Sequence, residues 1–287
     1  MIKYVSIGLI ITLMIASSVN AVSNSTDKEL SELNNFEQGA TSFTHTVFAE
    51  ECTATWCPNC PIANEALHNI YKNSNYSFYY VSLVDDMNPL AKKRNLEYSF
   101  GLVKIYAFPT VYFDGGDTNM VGRGRNVEET EAEYSSLIEQ EGMRTPNQPL
   151  SMDSSVSWDD NAKLTVTVTI TNQGNSPYLG KLRSYVTEIE SRWVDNKGDP
   201  YHFAFLDYAI NKFVFLMPGK SKTFTGTFDG ISDHGGQTYP DITSDNIMVI
   251  STISHWVPHY RTGYQGGKYT QHYFAFYVDQ TTAATPI

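Results

Sequence analysis

A chain of 287 residues has length for two domains, and 41% hydrophobic residues with 19 Tyr and 15 Phe provide material for an aromatic core. The formal net charge of −11 argues against nucleic acid or an anionic membrane surface as partner, since both repel an acidic chain. An ordinary soluble acidic protein has the same balance, so the charge excludes more than it identifies.

Residues 1–21 combine a single Lys3, an apolar run and small residues ending in V-N-A, the pattern of a secretory signal cleaved after Ala21 or retained as an N-terminal anchor. No other stretch approaches the roughly 20 apolar residues that span a bilayer. No cysteine lies near the cleavage region, so a lipid-modified terminus is not expected. Asn24 and Asn75 head N-x-S/T sequons, which export would make available for glycosylation. Residues 22–40, rich in Ser, Asn and Glu, read as a solvated tether.

The first folded domain is expected over residues 41–145. Thr44 to Glu51 reads as a strand and Pro61 to Lys72 as a helix, with Ile62, Ala66, Leu67, Ile70 and Tyr71 at helical spacing. Ser77 to Val84 has strong β composition, and Pro89 to Tyr98 suits a helix with Asp85-Asp86 as loop or cap. Thr110 to Phe113 and Met120 to Arg123 flank Asp114-Gly115-Gly116-Asp117 as a hairpin. Asn126 to Gly142 reads as an acidic helix with Asn126 as N-cap.

The chemistry of this half centres on Ala49 to Pro61, A-E-E-C-T-A-T-W-C-P-N-C-P. Cysteines at i and i+3 can close a small disulfide when the first sits at the mouth of a helix. The unpaired N–H groups and positive helix end then favour the Cys57 thiolate and make Cys57 the attacking sulfur. Cys60, one turn deeper, becomes the resolving thiol. The same spacing is half of many zinc sites, but Cys52 is the only other cysteine and His45 and His68 are the only nearby histidines, and no metal is expected.

With Glu51 six positions before Cys57 and F-P-T at Phe108 to Thr110, T-A-T-W-C-P-N-C resembles the thioredoxin superfamily over residues 41–145. The resemblance implies that Trp56 packs beside the active site and that Glu51 exchanges a proton with Cys60. It also implies that Pro109 is a cis-proline facing the disulfide, with Phe108 and Thr110 bordering the substrate groove. Strand alternation points Glu51 and Cys52 to opposite faces, and a buried Glu51 carboxyl would have a raised pKa. Phe108 departs from the smaller residue of many relatives, and Cys52 is a third thiol, either a buried structural residue or a redox partner of Cys57 or Cys60.

After a Pro-containing linker at Met143 to Pro149, the pattern changes. Lys163 to Thr171 alternates with period 2, Leu164, Val166, Val168 and Ile170 on one face and threonines on the other. Lys181 to Ile189, Ala209 to Leu216, Lys222 to Asp229, Ile247 to Ser254 and Tyr273 to Val278 are further strand-like runs. They predict a second domain over residues 150–287, an immunoglobulin-like or fibronectin-like β-sandwich, resembling sandwiches that accompany thioredoxin-like domains in some microbial envelope proteins. The expected fold class is therefore an α/β thioredoxin-like domain followed by an all-β sandwich. Tyr201-His202-Phe203 and the segment from His255 to Tyr260 are read as core or as an aromatic binding surface; a metal site of His202, His255 and His259 lacks diagnostic spacing.

The expected function is extracytoplasmic thiol–disulfide exchange, secreted or at the cell envelope, by an oxidoreductase whose redox-active disulfide Cys57–Cys60 serves without a further cofactor. Its partners would be protein thiols or disulfides and a membrane-bound or soluble redox partner, with the sandwich docking them. The alternative is a surface binding or adhesion protein in which C-P-N-C is a structural disulfide.

Overall fold

Strand β1 (Val47–Thr53) is buried along its whole length, as a strand paired on both edges and covered on both faces must be. It lies parallel to β2 (Phe78–Val84) and antiparallel to β3 (Thr110–Phe113), placing Glu51 opposite Ser82 and Val111. Between β1 and β2 runs helix α1 (Cys60–Asn73), between β2 and β3 helix α2 (Pro89–Glu97), and after β4 (Thr118–Val121) helix α3 (Val127–Gly142). The computed structural model describes residues 43–99, 107–159, 161–265 and 268–287. The expected signal segment 1–21, the tether 22–40, and Ile105 and Tyr106 before the F-P-T motif lie outside the described residues. All described residues belong to the unit Phe43–Ile287.

The remaining strands are β5 (Leu150–Trp158), β6 (Lys163–Asn172), β7 (Tyr178–Val194), β8 (Pro200–Leu216), β9 (Ser221–Asp229), β10 (Ile247–His255), β11 (His259–Gln265), β12 (Lys268–Ala275) and β13 (Val278–Ala284). The 17-residue strands β7 and β8 pair antiparallel, and β8 then joins β2 through Ser82 and Ala204. The result is one eight-stranded mixed sheet in the order β13-β10-β7-β8-β2-β1-β3-β4. β5, β6 and β9 form a three-stranded sheet, and β11 and β12 a hairpin.

This overturns the expected fold class. The structure is mostly β, with three α-helices among the described residues, and it is not an α/β thioredoxin-like domain followed by a free-standing immunoglobulin-like or fibronectin-like sandwich. The physical reason is the edge of β2. An open strand edge exposes unpaired N–H and C=O groups, and here β8 covers it, so that strands from both halves share one sheet. The core follows the sheet: Phe48, Tyr80 and Tyr112 pack in one cluster with Tyr185, Phe205, Ile250 and Tyr273. A second cluster gathers the alternating Leu164, Val166, Val168 and Ile170 of β6 under β7, β8 and β10.

Buried charge ties the same elements together. Glu50 accepts from Arg94 Nε and Nη2 at 2.7 and 2.6 Å and from the Tyr185 hydroxyl at 2.8 Å, joining β1, α2 and β7. At the other end, His45 Nε2 lies 2.6 Å from Asp114 Oδ2, and Arg144 reaches both Asp114 and Asp279. The β3–β4 turn that holds Asp114 requires glycine at 115, whose φ is +72° and whose Cβ would meet the Phe276 carbonyl oxygen at 2.1 Å.

Candidate functional site

β1 ends at Thr53, and the chain turns through Ala54, Thr55 and Trp56 into the cysteine pair. Two side chains hold that turn. Asp86 accepts from the Thr55 amide at 3.0 Å and from its hydroxyl at 2.5 Å, and the Tyr201 hydroxyl of β8 donates to the Ala54 carbonyl at 3.0 Å. The same carbonyl accepts the Cys57 amide at 3.0 Å. Cys57 and Cys60 are joined in a disulfide. The helix opens later than its pattern suggests: Asn59 is the N-cap and Cys60 the first residue of α1, so Cys57 sits in the turn ahead of the helix. It still faces the end where backbone N–H groups lack intrahelical acceptors.

Both cysteines are buried, Cys57 at 2% and Cys60 at 0% exposure, whereas Trp56 beside them is 64% exposed. Phe108 packs against Ala54 and the cysteines, and its ring meets Trp56 edge-on at 5.8 Å. The Phe108–Pro109 peptide is cis, and Thr110, buried, follows as the first residue of β3, its hydroxyl donating to the Ala107 carbonyl at 2.8 Å. Arg123, after β4, donates to the Asn59 side chain at 3.2 Å and so places a cation beside the C-P-N-C turn.

Glu51 is fully buried. Its Oε2 accepts from the Ser82 hydroxyl at 2.7 Å, while Oε1 has no hydrogen-bond partner among the described residues. Burial raises its pKa to about 8, with the Ser82 hydrogen bond opposing and the Asp195 charge adding to the rise. Such a carboxyl can take and return a proton near neutral pH. Cys52, on the opposite face of β1, is a buried free thiol that donates to Asn95 Oδ1 at 2.7 Å, and burial pushes its pKa well above the ordinary thiol value.

The sequence does not reveal Ser82 and Asp195 as neighbours of Glu51, nor that Tyr201 reaches the cysteine turn. Tyr201 is a buried β8 residue, which agrees with the core reading of Tyr201-His202-Phe203. Its neighbour His202 stacks on His68 at 3.5 Å, and burial, with His202 nearby, lowers the His68 pKa to about 4. His255 and His259 approach to 3.0 Å elsewhere, beside Asp279. The structure therefore does not unite His202 with His255 and His259, and among the described residues no three His, Cys, Asp or Glu side chains are arranged to hold a metal ion.

No protein-family model matches the chain, and no curated protein matches it. Solved structures do. HBP35 of Porphyromonas gingivalis aligns with a TM-score of 0.57 at 14% identity, covering 85% of this chain and 76% of that one. Protein AGR_C_4864 from Agrobacterium tumefaciens aligns at 0.45 and 15% identity over 83% and 93% of the two chains. A domain of the outer membrane lipoprotein Omp28 from Porphyromonas gingivalis aligns at 0.27 and 12% over 50% and 92%. The first of these shows a shared fold. That fold spans both halves as one mostly β structure, so the expected thioredoxin superfamily membership is corrected, and with it the oxidoreductase label that rested on the family. What the Cys57–Cys60 site does must be argued from its own residues.

Proposed function

We propose that the chain exchanges its Cys57–Cys60 disulfide with thiols or disulfides of other proteins outside the cytoplasm, at the cell envelope or beyond it. The observation that carries this reading is a disulfide closed at the mouth of α1 beside an exposed indole, Trp56. Structural disulfides need no apolar contact surface of this kind, and a protein substrate does. In the reduced form the Cys57 thiolate attacks one sulfur of a substrate disulfide, making a mixed disulfide and expelling a substrate thiolate. Cys60, its proton passed to a base, then attacks Cys57 Sγ, reforms the Cys57–Cys60 bond and releases the second substrate thiol. Glu51, with its raised pKa, is our assignment for that base, and the reverse sequence oxidises a dithiol. Among the described residues no helix is long and apolar enough to cross a membrane; envelope placement rests on the signal-like N-terminus and on the persistence of disulfides outside the cytosol.

The test is trapping. Cys60→Ser should accumulate mixed disulfides through Cys57, and Cys57→Ser should accumulate none; equal exchange by wild type and Cys57→Ser would defeat the proposal. One observation favours a second reading, a structural disulfide in a binding protein: both cysteines are almost inaccessible. That reading predicts no trapped species in either variant.

A further inference from the structure

A cavity of about 510 Å³ opens where β7 and β10 meet the end of α2, within the volume range of small-molecule sites. Its walls are aromatic: Phe213, Trp256, Phe274 and Phe276. Phe213 and Trp256 are 60% and 52% exposed and meet edge-on at 5.5 Å, a large apolar surface for solvent to cover. Two cations and one carboxylate, Glu97, share the lining. Lys181 Nζ lies 5.7 Å from the Phe213 ring centroid, and Arg183, buried, donates to Glu97 at 2.9 Å.

Three features ask for an anion. The Arg183 Nε is buried and has no acceptor among the described residues, which is costly for a charged donor. Glu97 is already shared between Arg183 and Arg94, and Arg94 in turn is held by Glu50, so this one carboxylate does not neutralise both cavity cations. Burial, and then the Arg183 charge, lower the Lys181 pKa against the opposing charge of Glu97, a net penalty that a further bound negative group would relieve. His255, which also lines the cavity, is engaged by Asp279 at 2.9 Å and His259 at 3.0 Å and serves as wall.

We propose that this cavity binds an aryl carboxylate, its ring system among Phe213, Trp256, Phe274 and Phe276 and its carboxylate on the Lys181 and Arg183 side. The aromatic walls favour a flat π surface, and the cations select acid over neutral analogue.

The probes are 2-naphthoate and its neutral amide, titrated into the full chain by calorimetry. Naphthoate should bind saturably at one site, with the amide weaker by about tenfold or more. Lys181→Met should remove that preference, and Trp256→Ala should weaken both probes, with thermal unfolding profiles confirming folded variants. If Lys181→Met does not fold, Lys181→Gln takes its place. No saturation at millimolar naphthoate, equal binding of acid and amide, or unchanged binding in both variants would overturn the assignment.

Discussion

The Tyr201 hydroxyl lies 3.0 Å from the carbonyl oxygen of Ala54, the same oxygen that accepts the Cys57 amide. A residue of β8 thereby fixes the backbone from which the first cysteine of the pair projects. The sheet junction between β8 and β2 is what brings it there. Tyr201→Phe keeps the ring and removes the donor, so it should cost about 1 kcal/mol of stability by urea denaturation. It should also alter the rate at which dithiothreitol reduces Cys57–Cys60, because the turn is then held by one fewer bond.

Phe108 covers the cysteines and leans on Trp56. Replacing it with alanine should open a path to Cys57 and raise the rate of reduction by small thiols several-fold. The check is stopped-flow reduction monitored by quantifying free thiols. An unchanged rate would mean that access to the sulfurs is governed elsewhere.

Glu51 makes stability depend on pH. Its folded pKa is raised to about 8, from an ordinary 4.5, by burial, so the folded state holds the proton more tightly than the unfolded chain. Its contribution is full below about pH 4.5 and is lost as pH rises through the folded pKa near 8. The loss over that window has an upper bound of about 5 kcal/mol at roughly 1.4 kcal/mol per pKa unit. Glu51→Gln should flatten this limb, and denaturation midpoints of both proteins between pH 5 and pH 9 measure the difference. If exchange uses Glu51 as base, the same substitution should also erase the pH dependence of exchange near pH 8.

Glu50, its neighbour in sequence, behaves oppositely. Burial alone would raise its pKa, yet the charge and hydrogen bonds of Arg94, with help from Tyr98 and Arg183, hold it below the ordinary value. Its stabilisation is present above the unfolded pKa and lost as pH falls through the folded one. Glu50→Gln leaves a buried guanidinium without its counter-charge and should destabilise the fold by roughly 3 to 5 kcal/mol. Thermal unfolding at neutral pH would register it, and a loss below 1 kcal/mol would show that Arg94 finds another partner.

Local signals were well legible where they were self-contained. Asn126 caps α3 as its position suggests, accepting from the Glu129 amide at 2.9 Å, and the alternation of β6 is the burial pattern observed. Signals that depended on distant partners were not. Asp85-Asp86 reads as loop or cap; the pair lies in the turn before α2, but Asn88 caps the helix and Asp86 holds the Thr55 turn. β5 went unread because its serines dilute the apolar alternation, and Tyr273 to Val278 reads as one strand although β12 ends at Ala275 and β13 begins at Val278. Tyr201-His202-Phe203 reads as core or as aromatic surface, and the pairing of β8 with β7 and β2 decides for the core at Tyr201 and Phe203. The same long-range pairing makes the two predicted domains share a sheet, and no local pattern encodes it. At the candidate site, C-x-x-C spacing allows the disulfide, and the burial of Glu51 is implied only by the resemblance of the motif around it. The approach of Ser82, Asp195 and Tyr201 was not legible, since Ser82 comes from β2, and Asp195 and Tyr201 from the connection of β7 to β8 and the start of β8, far along the chain from the cysteines.

If Cys57–Cys60 is an exchanging pair, its reduction potential will show it. The folded protein would be equilibrated with glutathione redox buffers and its thiols counted by mass after alkylation. An exchanging pair should give a value of about −270 to −120 mV, the span of known exchange proteins. A value below about −300 mV would place the bond among structural disulfides and contradict the proposed exchange.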